Sequence, residues 1–178
     1  MTAASGPRLP GRRLVLGVCG SIAAYKAAEL ARLLIREGAE VRTVLTEGAA
    51  KFITPLTFES LTGQPVYTQM FDQPHAWEME HITWARWGEL VLVAPATANV
   101  LAKLAHGLSD DPLTTLCLAR EPRVPLLIAP AMNSQMWLAA PTQRAVAQLR
   151  ADGAEVIEPG SGDLACREAG VGRLAEPE

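Results

Sequence analysis

The feature that most constrains this chain is the order of its short apolar runs, each closed by Gly, Pro or Asn and followed by a segment of helical period. Leu14–Val18 reads as a strand ended by Gly20, and Ile22–Glu37 carries Ala23, Ala27, Leu30 and Leu34 on one helical face before Gly38. Glu40–Leu45 gives a second strand, and a short helix follows from Pro55 to Gly63, with Leu56, Phe58 and Leu61 inside it. Leu90–Ala94 is a third strand, ended by Pro95, with a helix running to about His106. Ser109-Asp110-Asp111-Pro112 starts another helix with an acidic cap and Pro in its first turn. Leu126–Ala129 is a fourth strand, Pro141 restarts a helix that Gly153 ends, and Glu155–Ile157 is a fifth. Strand and helix in alternation, without hairpin signals, predict an α/β fold. The expected form is a single doubly wound parallel sheet, Rossmann-like or flavodoxin-like, with helices on both faces.

Two stretches stand outside the pattern. Gln64–Glu80 has two prolines and no clear period, so it is expected to be a functional or interface loop. After Ile157 the chain loosens. Residues 1–12, rich in Pro, Gly and Arg, are expected to be a disordered leader to a domain over 13–178, and they lack the apolar centre of a secretory signal.

The remaining composition narrows the partners. A chain of 178 residues, 49% hydrophobic, suffices for one domain with a substantial core. Its net charge of −3 and lack of a basic block past the leader point to a small-molecule partner rather than a nucleic acid or a membrane surface. No apolar run approaches the roughly 20 residues of a membrane span. Cys19, Cys117 and Cys166 form neither a disulfide ladder nor a metal-binding spacing, so the expectation is a cytoplasmic location, free thiols and no metal.

Three turns at predicted strand tips carry candidate ligand groups. Gly20-Ser21-Ile22 opens a helix where backbone N–H groups and the helix dipole suit a phosphate, although the spacing is not that of the dinucleotide fingerprint. A tight turn with a serine cap explains the same residues. Thr46 reaches the same phosphate or caps the residues from Glu47 onward. Pro95-Ala96-Thr97-Ala98-Asn99 offers small side chains for a planar ring and two hydrogen-bonding groups, or else an ordinary capped turn. The third tip, Pro130-Ala131-Met132-Asn133-Ser134-Gln135-Met136-Trp137, places an amide at a strand end. His81, near Trp84 and Trp87, reads alone as a structural histidine. Cys166 lies in a glycine-rich stretch beside Arg167, which suits a flap carrying a proton donor or thiolate. Cys19 and Cys117 read as packing residues, and Asp110 with Asp111 as a helix cap.

Taken in order, the segment Pro130–Trp137, the segment Pro95–Asn99, His81-Ile82 ahead of Ala85-Arg86-Trp87, and Ala105–Thr115 resemble the homo-oligomeric flavin-containing cysteine decarboxylases. The similarity runs from about Arg13 to Pro177 and is strongest to the branch that acts on 4'-phosphopantothenoylcysteine in coenzyme A biosynthesis. It implies FMN held by Gly20, Ser21, Ile22, Thr46 and the Pro95, Ala96, Thr97, Ala98, Asn99 segment. It implies His81 as an essential histidine, Asn133 gripping the substrate carboxylate with Met136 beside it, and Cys166 as proton donor. The reaction implied is flavin oxidation of the cysteinyl thiol, loss of CO₂ and re-reduction of the enethiol to 4'-phosphopantetheine. The family further implies trimers or dodecamers with flavin at protomer boundaries, and a ligase domain either separate or fused. Cys166 argues against the peptidyl-cysteine decarboxylases, which stop at the enethiol; His81, Asn133 and Cys166 together argue against a flavin-binding regulatory module.

Overall fold

The computed structural model describes residues 6–71, 79–166 and 168–177. In chain order the elements are β1 (Arg13–Val18), α1 (Ala24–Arg36), β2 (Glu40–Leu45), α2 (Glu47–Ala50), α3 (Pro55–Thr62), β3 (Val66–Tyr67), α4 (Glu80–Trp87) and β4 (Leu90–Ala96). They continue with α5 (Ala98–Ala105), α6 (Pro112–Ala119), β5 (Leu126–Pro130), α7 (Ser134–Leu138), α8 (Ala140–Ala151), β6 (Glu155–Val156), β7 (Gly160–Asp163) and β8 (Ala169–Arg173).

Six strands form one parallel sheet in the order β3-β2-β1-β4-β5-β6. This is the doubly wound arrangement read from the sequence, in its Rossmann order. Both faces are covered, so the strands are apolar along their length rather than alternating. Leu14, Leu16 and Val18 of β1 face α1 and α3 with Ala27, Ala31 and Phe58; Val15 joins Val91, Val93 and Ile128 beneath α5, α6 and α8.

Local signals hold most boundaries. Pro55 opens α3 and Gly63, at φ 65°, closes it in the left-handed region. Asp111 caps α6 by accepting from Thr114 N–H at 3.0 Å, as its place before Pro112 predicts.

Several expectations require correction. α1 starts at Ala24 rather than Ile22, because the Ser21 carbonyl and hydroxyl take the N–H groups of Ala24 and Ala23 and make residues 21–23 a turn. Pro95 does not end β4: its carbonyl accepts from Cys19 N–H at 3.2 Å, and pairing with β5 resumes at Ala96 after a register shift. The irregular stretch 64–80 contains β3 and leads into α4, while its residues 72–78 lie outside the described ones. The C-terminal stretch is not loose and does contain a hairpin, β7 paired antiparallel with β8. Within the expected leader, Leu9 N–H bonds to the Glu37 carbonyl and Gly11 N–H to that of Gly38, so these residues dock on the α1–β2 turn. Residues 1–5 of that leader lie outside the described ones.

Candidate functional site

The chain runs outward through β1, β2 and β3, then crosses to β4, β5 and β6, so the loops after β1 and β4 diverge at the centre of the sheet. Such a reversal leaves a crevice at the carboxyl ends of the strands. The crest is stitched together by backbone bonds: Cys19 N–H to the Pro95 carbonyl, Thr46 N–H to that of Val18, and Ala131 N–H to that of Ala96. Gly20 is required there, since a Cβ would lie 2.8 Å from the Gly48 backbone. The β1–α1 loop and the first turn of α2 touch through two glycines.

A cleft of about 710 Å³ opens above this crest, within the usual range for ligand pockets. Among the predicted residues, Gly20, Ser21, Ile22, Thr97, Ala98, Asn133, Met136 and Cys166 line it. Ile22 and Met136 are exposed, apolar walls, and Ala98 and Ala131 leave room between them. Thr46, Pro95, Ala96, Asn99 and His81 are not brought to its lining. The Thr46 hydroxyl accepts from Ala49 N–H at 3.2 Å and caps α2, so the capping alternative describes it. Pro95 and Ala96 are buried within β4, and Asn99 points to solvent from the first turn of α5.

The third strand tip is built around Asn133, the N-cap of α7. Its Oδ1 accepts from Gln135 N–H at 2.8 Å, which fixes the amide plane. The Nδ2 group then faces the β7–β8 connection, donating to Cys166 Sγ at 3.4 Å and to Glu168 Oε2 at 3.2 Å. Cys166 Sγ in turn lies 3.5 Å from the same carboxylate oxygen as donor. The hairpin reaches this point because it clasps the segment before α7: Met132 N–H bonds to the Gly172 carbonyl at 3.0 Å and Ser134 Oγ donates to that of Val171 at 2.7 Å. Gly170 and Gly172 allow the contact, since a Cβ at either would overlap Ser134 Oγ or the Met132 carbonyl.

Burial pushes the Cys19 and Cys117 thiols up to about 12, leaving them inert as packing groups. Cys166 is the exposed thiol of the three.

Apart from Asp163, four charged residues at or beside the cleft have no counterpart in the motif reading. Besides Glu168 these are Lys26, Arg173 and Glu176. Lys26 Nζ lies 2.7 Å from Glu176 Oε1, and Arg173 Nη2 lies 2.8 Å from the same atom. The Lys26 hydrogen bond holds the Glu176 carboxyl below its ordinary range. Lys26 is the third residue of α1, shortly after Ser21, and that position is its only sequence signal.

His81 occupies the first turn of α4. The helix is anchored by buried Trp84 and Ala85 and packs on α6. Arg42 of β2 lies 4.3 Å from the Trp87 ring centroid and 5.3 Å from that of Trp84, a cation–π contact that fixes the helix over the sheet. Among the described residues no helix is long and apolar enough to cross a membrane, and no His/Cys/Asp/Glu group is arranged for a metal.

Comparison with known proteins gives a consistent picture. The family model described as Flavoprotein matches residues 3–178. The coenzyme A biosynthesis bifunctional protein CoaBC of Vibrio vulnificus (strain YJ016) is 44% identical over 169 residues, covering 95% of this chain and 42% of the relative. The chain thus spans about two fifths of the length of such relatives. A solved PPC decarboxylase, a cysteine-to-serine mutant complexed with pantothenoylaminoethenethiol, superposes with a TM-score of 0.84 at 35% identity, covering 94% of this chain and 92% of that one. The FMN-dependent cysteine decarboxylase SpaF gives 0.80 at 37% identity, covering 92% and 91%.

Proposed function

The chain belongs to the Flavoprotein family, and on that footing we propose that its cleft binds FMN and decarboxylates 4'-phosphopantothenoylcysteine to 4'-phosphopantetheine. The observation that carries the reading is the meeting of the Asn133 amide and the Cys166 thiol on one wall of a cleft roomy enough for a planar tricyclic ring. Small Ala98 and Ala131 with apolar Ile22 and Met136 suit the ring, and Gly20, Ser21 and Thr97 suit its polar tail. Lys26 and Arg173 supply positive charge for phosphate. The relatives called FMN-dependent and PPC decarboxylase support the same cofactor and substrate.

When bound, FMN supplies the two-electron chemistry that turns the cysteinyl thiol into an electron-accepting C=S group, next to which a carboxylate leaves as CO₂. The protein's own residues orient and protonate. Asn133 Nδ2 holds the carboxylate without the full positive charge that would trap it in the ground state. Cys166 delivers the proton to the enethiol, the class of compound bound in the mutant PPC decarboxylase, for a reduction whose two electrons would be those the flavin took from the thiol. His81 serves the oxidation step. Since it does not line the cleft of its own chain, its role requires that the complete site form between protomers of a homo-oligomer. By the same reading the chain supplies the decarboxylase part of a bifunctional protein whose ligase is separate or fused.

The test is the absorption spectrum of purified protein. Oxidised-flavin bands that bleach transiently under anaerobic conditions on adding phosphopantothenoylcysteine, and recover as the substrate is consumed, are expected; colourless protein, or bands indifferent to that substrate in a rapid-mixing experiment, would overturn the reading.

A further inference from the structure

Both donor hydrogens of the Asn133 amide are engaged within the chain itself. Its Oδ1 is committed to Gln135 N–H, and its two Nδ2 hydrogens go to Cys166 Sγ and to Glu168 Oε2. A carboxamide has no further donor, so an arriving carboxylate must displace one of these two acceptors. The Glu168 carboxylate is chemically the same ligand as the one expected to arrive. We propose that Glu168 is a specificity-determining residue: its carboxylate is an internal stand-in that the substrate's carboxylate must replace on Asn133 Nδ2. The inference rests on the decarboxylase reading, deepening it by saying how a carboxylated substrate is told from its decarboxylated product.

The geometry gives the exchange a use. Glu168 and Cys166 sit on one turn of the β7–β8 connection, and Cys166 Sγ donates to the same Oε2 that Asn133 holds. Substrate that takes Nδ2 releases this turn. Loss of CO₂ empties the donor again, leaving a partly exposed N–H already aimed at the turn, for which the Glu168 carboxylate is a charge-assisted acceptor. Return of Glu168 to Nδ2 restores the partner and carries Cys166 back to Asn133, beside the carbon that awaits a proton. The decarboxylated product competes for none of these atoms. Glu168 therefore weakens binding of the carboxylated form alone.

The test uses the flavin-loaded oligomer with wild type, Glu168→Ala and Glu168→Gln. Binding is read from the flavin absorbance on titration with phosphopantothenoylserine, which keeps the carboxylate and lacks the thiol, and with its decarboxylated counterpart. Glu168→Ala should tighten the carboxylated ligand about fivefold, the worth of one charge-assisted bond screened by solvent, and leave the decarboxylated ligand unchanged. Glu168→Gln, which keeps a neutral acceptor, should fall between. Steady state should show the same selectivity as a lower KM for phosphopantothenoylcysteine with no gain in kcat. Equal shifts for both ligands, or no shift for either, overturn the proposal, because a merely structural role would move them together. A third measurement needs no ligand: Cys166, the exposed thiol, should react with iodoacetamide at a different rate once Glu168 no longer accepts its proton. If the wild type binds neither ligand yet this difference is present, the fault lies with the decarboxylase reading and the Asn133–Glu168–Cys166 tie stands. An unchanged rate removes the tie.

Discussion

Replacing Gly172 by Ala should detach the β7–β8 hairpin while leaving the six-stranded sheet folded. Gly172 has φ 138°, a conformation L-residues rarely adopt, and an added Cβ would collide with the Met132 carbonyl. Holding Ala there costs about 1–3 kcal/mol of backbone strain and about 1–3 kcal/mol for the overlap, together on the order of 4 kcal/mol. The docking it opposes is of similar size. The bonds from Met132 N–H to Gly172 and from Ser134 Oγ to Val171 contribute about 1 kcal/mol each, and burial of Leu174 adds about 2 kcal/mol. A two-stranded hairpin has little stability of its own, so the strain is relieved by undocking. Hydrogen exchange should show protection lost over residues 160–173 and retained in β1, β4 and β5, and turnover should fall with it. Gly153→Ala is the control: φ is 90° with nothing within 4 Å of the new Cβ, so it should cost about 1 kcal/mol globally and leave hairpin protection intact. Wild-type protection and turnover in Gly172→Ala would refute the argument that close backbone approach holds the hairpin in place.

Cys166→Ser should still bleach the flavin and release CO₂ while the enethiol accumulates; undiminished phosphopantetheine output would remove Cys166 from the reaction. Mixing two inactive variants, His81→Asn and Asn133→Ala, under conditions that exchange subunits should restore part of the activity, because some boundaries then pair an intact His81 with an intact Asn133; no recovery in demonstrably mixed oligomers would place both residues in one chain's site. Asp111→Ala removes the cap on Thr114 N–H and one of the Lys103 contacts and should lower stability by about 1–2 kcal/mol in urea unfolding. The paired groups also set a pH window. Lys103 holds the Asp110 carboxyl below its ordinary 3.8 and Lys26 holds that of Glu176 below 4.5, so their contributions are complete above those values and are lost as pH falls through the depressed folded ones. Asp110 raises the Lys103 ammonium above its ordinary 10.5, so that contribution is complete below 10.5 and lost as pH rises through the folded value. The urea midpoint should change little between pH 5 and pH 10 on account of these pairs and fall outside that range; a slope within it would point to other groups.

What was legible in the sequence was local. Pro55 and Gly63, Asp111 ahead of Pro112, and Gly153 set their boundaries through bonds within a few residues, so a one-dimensional reading finds them. The doubly wound parallel sheet followed from the repeated strand-helix pattern and the handedness of its connections, whereas the choice between the Rossmann and flavodoxin orders rests on which strands pair in three dimensions. The hairpin escaped because β7 reads Gly-Ser-Gly-Asp and β8 carries two glycines, with no alternation of apolar residues. The β8 glycines answer to Met132 and Ser134, more than 30 positions away, and only the fold brings these together. α4 was hidden for a related reason: Trp84 is buried against the core while Trp87 is partly exposed and stacked on Arg42, a partner on another strand. At Thr46 two readings competed, and the local one, a hydroxyl capping Ala49, describes the observed geometry. The gathering of Asn133 and Cys166 came from the resemblance, whereas Glu168 carries no motif and is visible only through its contacts.

The narrowness of position 133 follows from two demands met from opposite sides. α7 is five residues long, too short to persist on propensity alone. It is held by buried Trp137, by Gln143 Nε2 donating to the Trp137 carbonyl, and by the Oδ1 cap on Gln135 N–H. That cap needs a short side chain with an oxygen acceptor, which Ser, Asp and Asn all offer. The cleft side needs the reverse polarity, two hydrogens aimed at acceptors on the hairpin turn. Asp would keep the helix capped and turn a second carboxylate toward Glu168; Ser would keep the cap and fall short of the turn. Asn alone joins an acceptor and two donors in one plane. Because the acceptor is fixed by the helix, the donors cannot turn away from the hairpin without uncapping α7, and a carboxylate arriving in the cleft meets an amide already oriented toward the turn that carries Cys166.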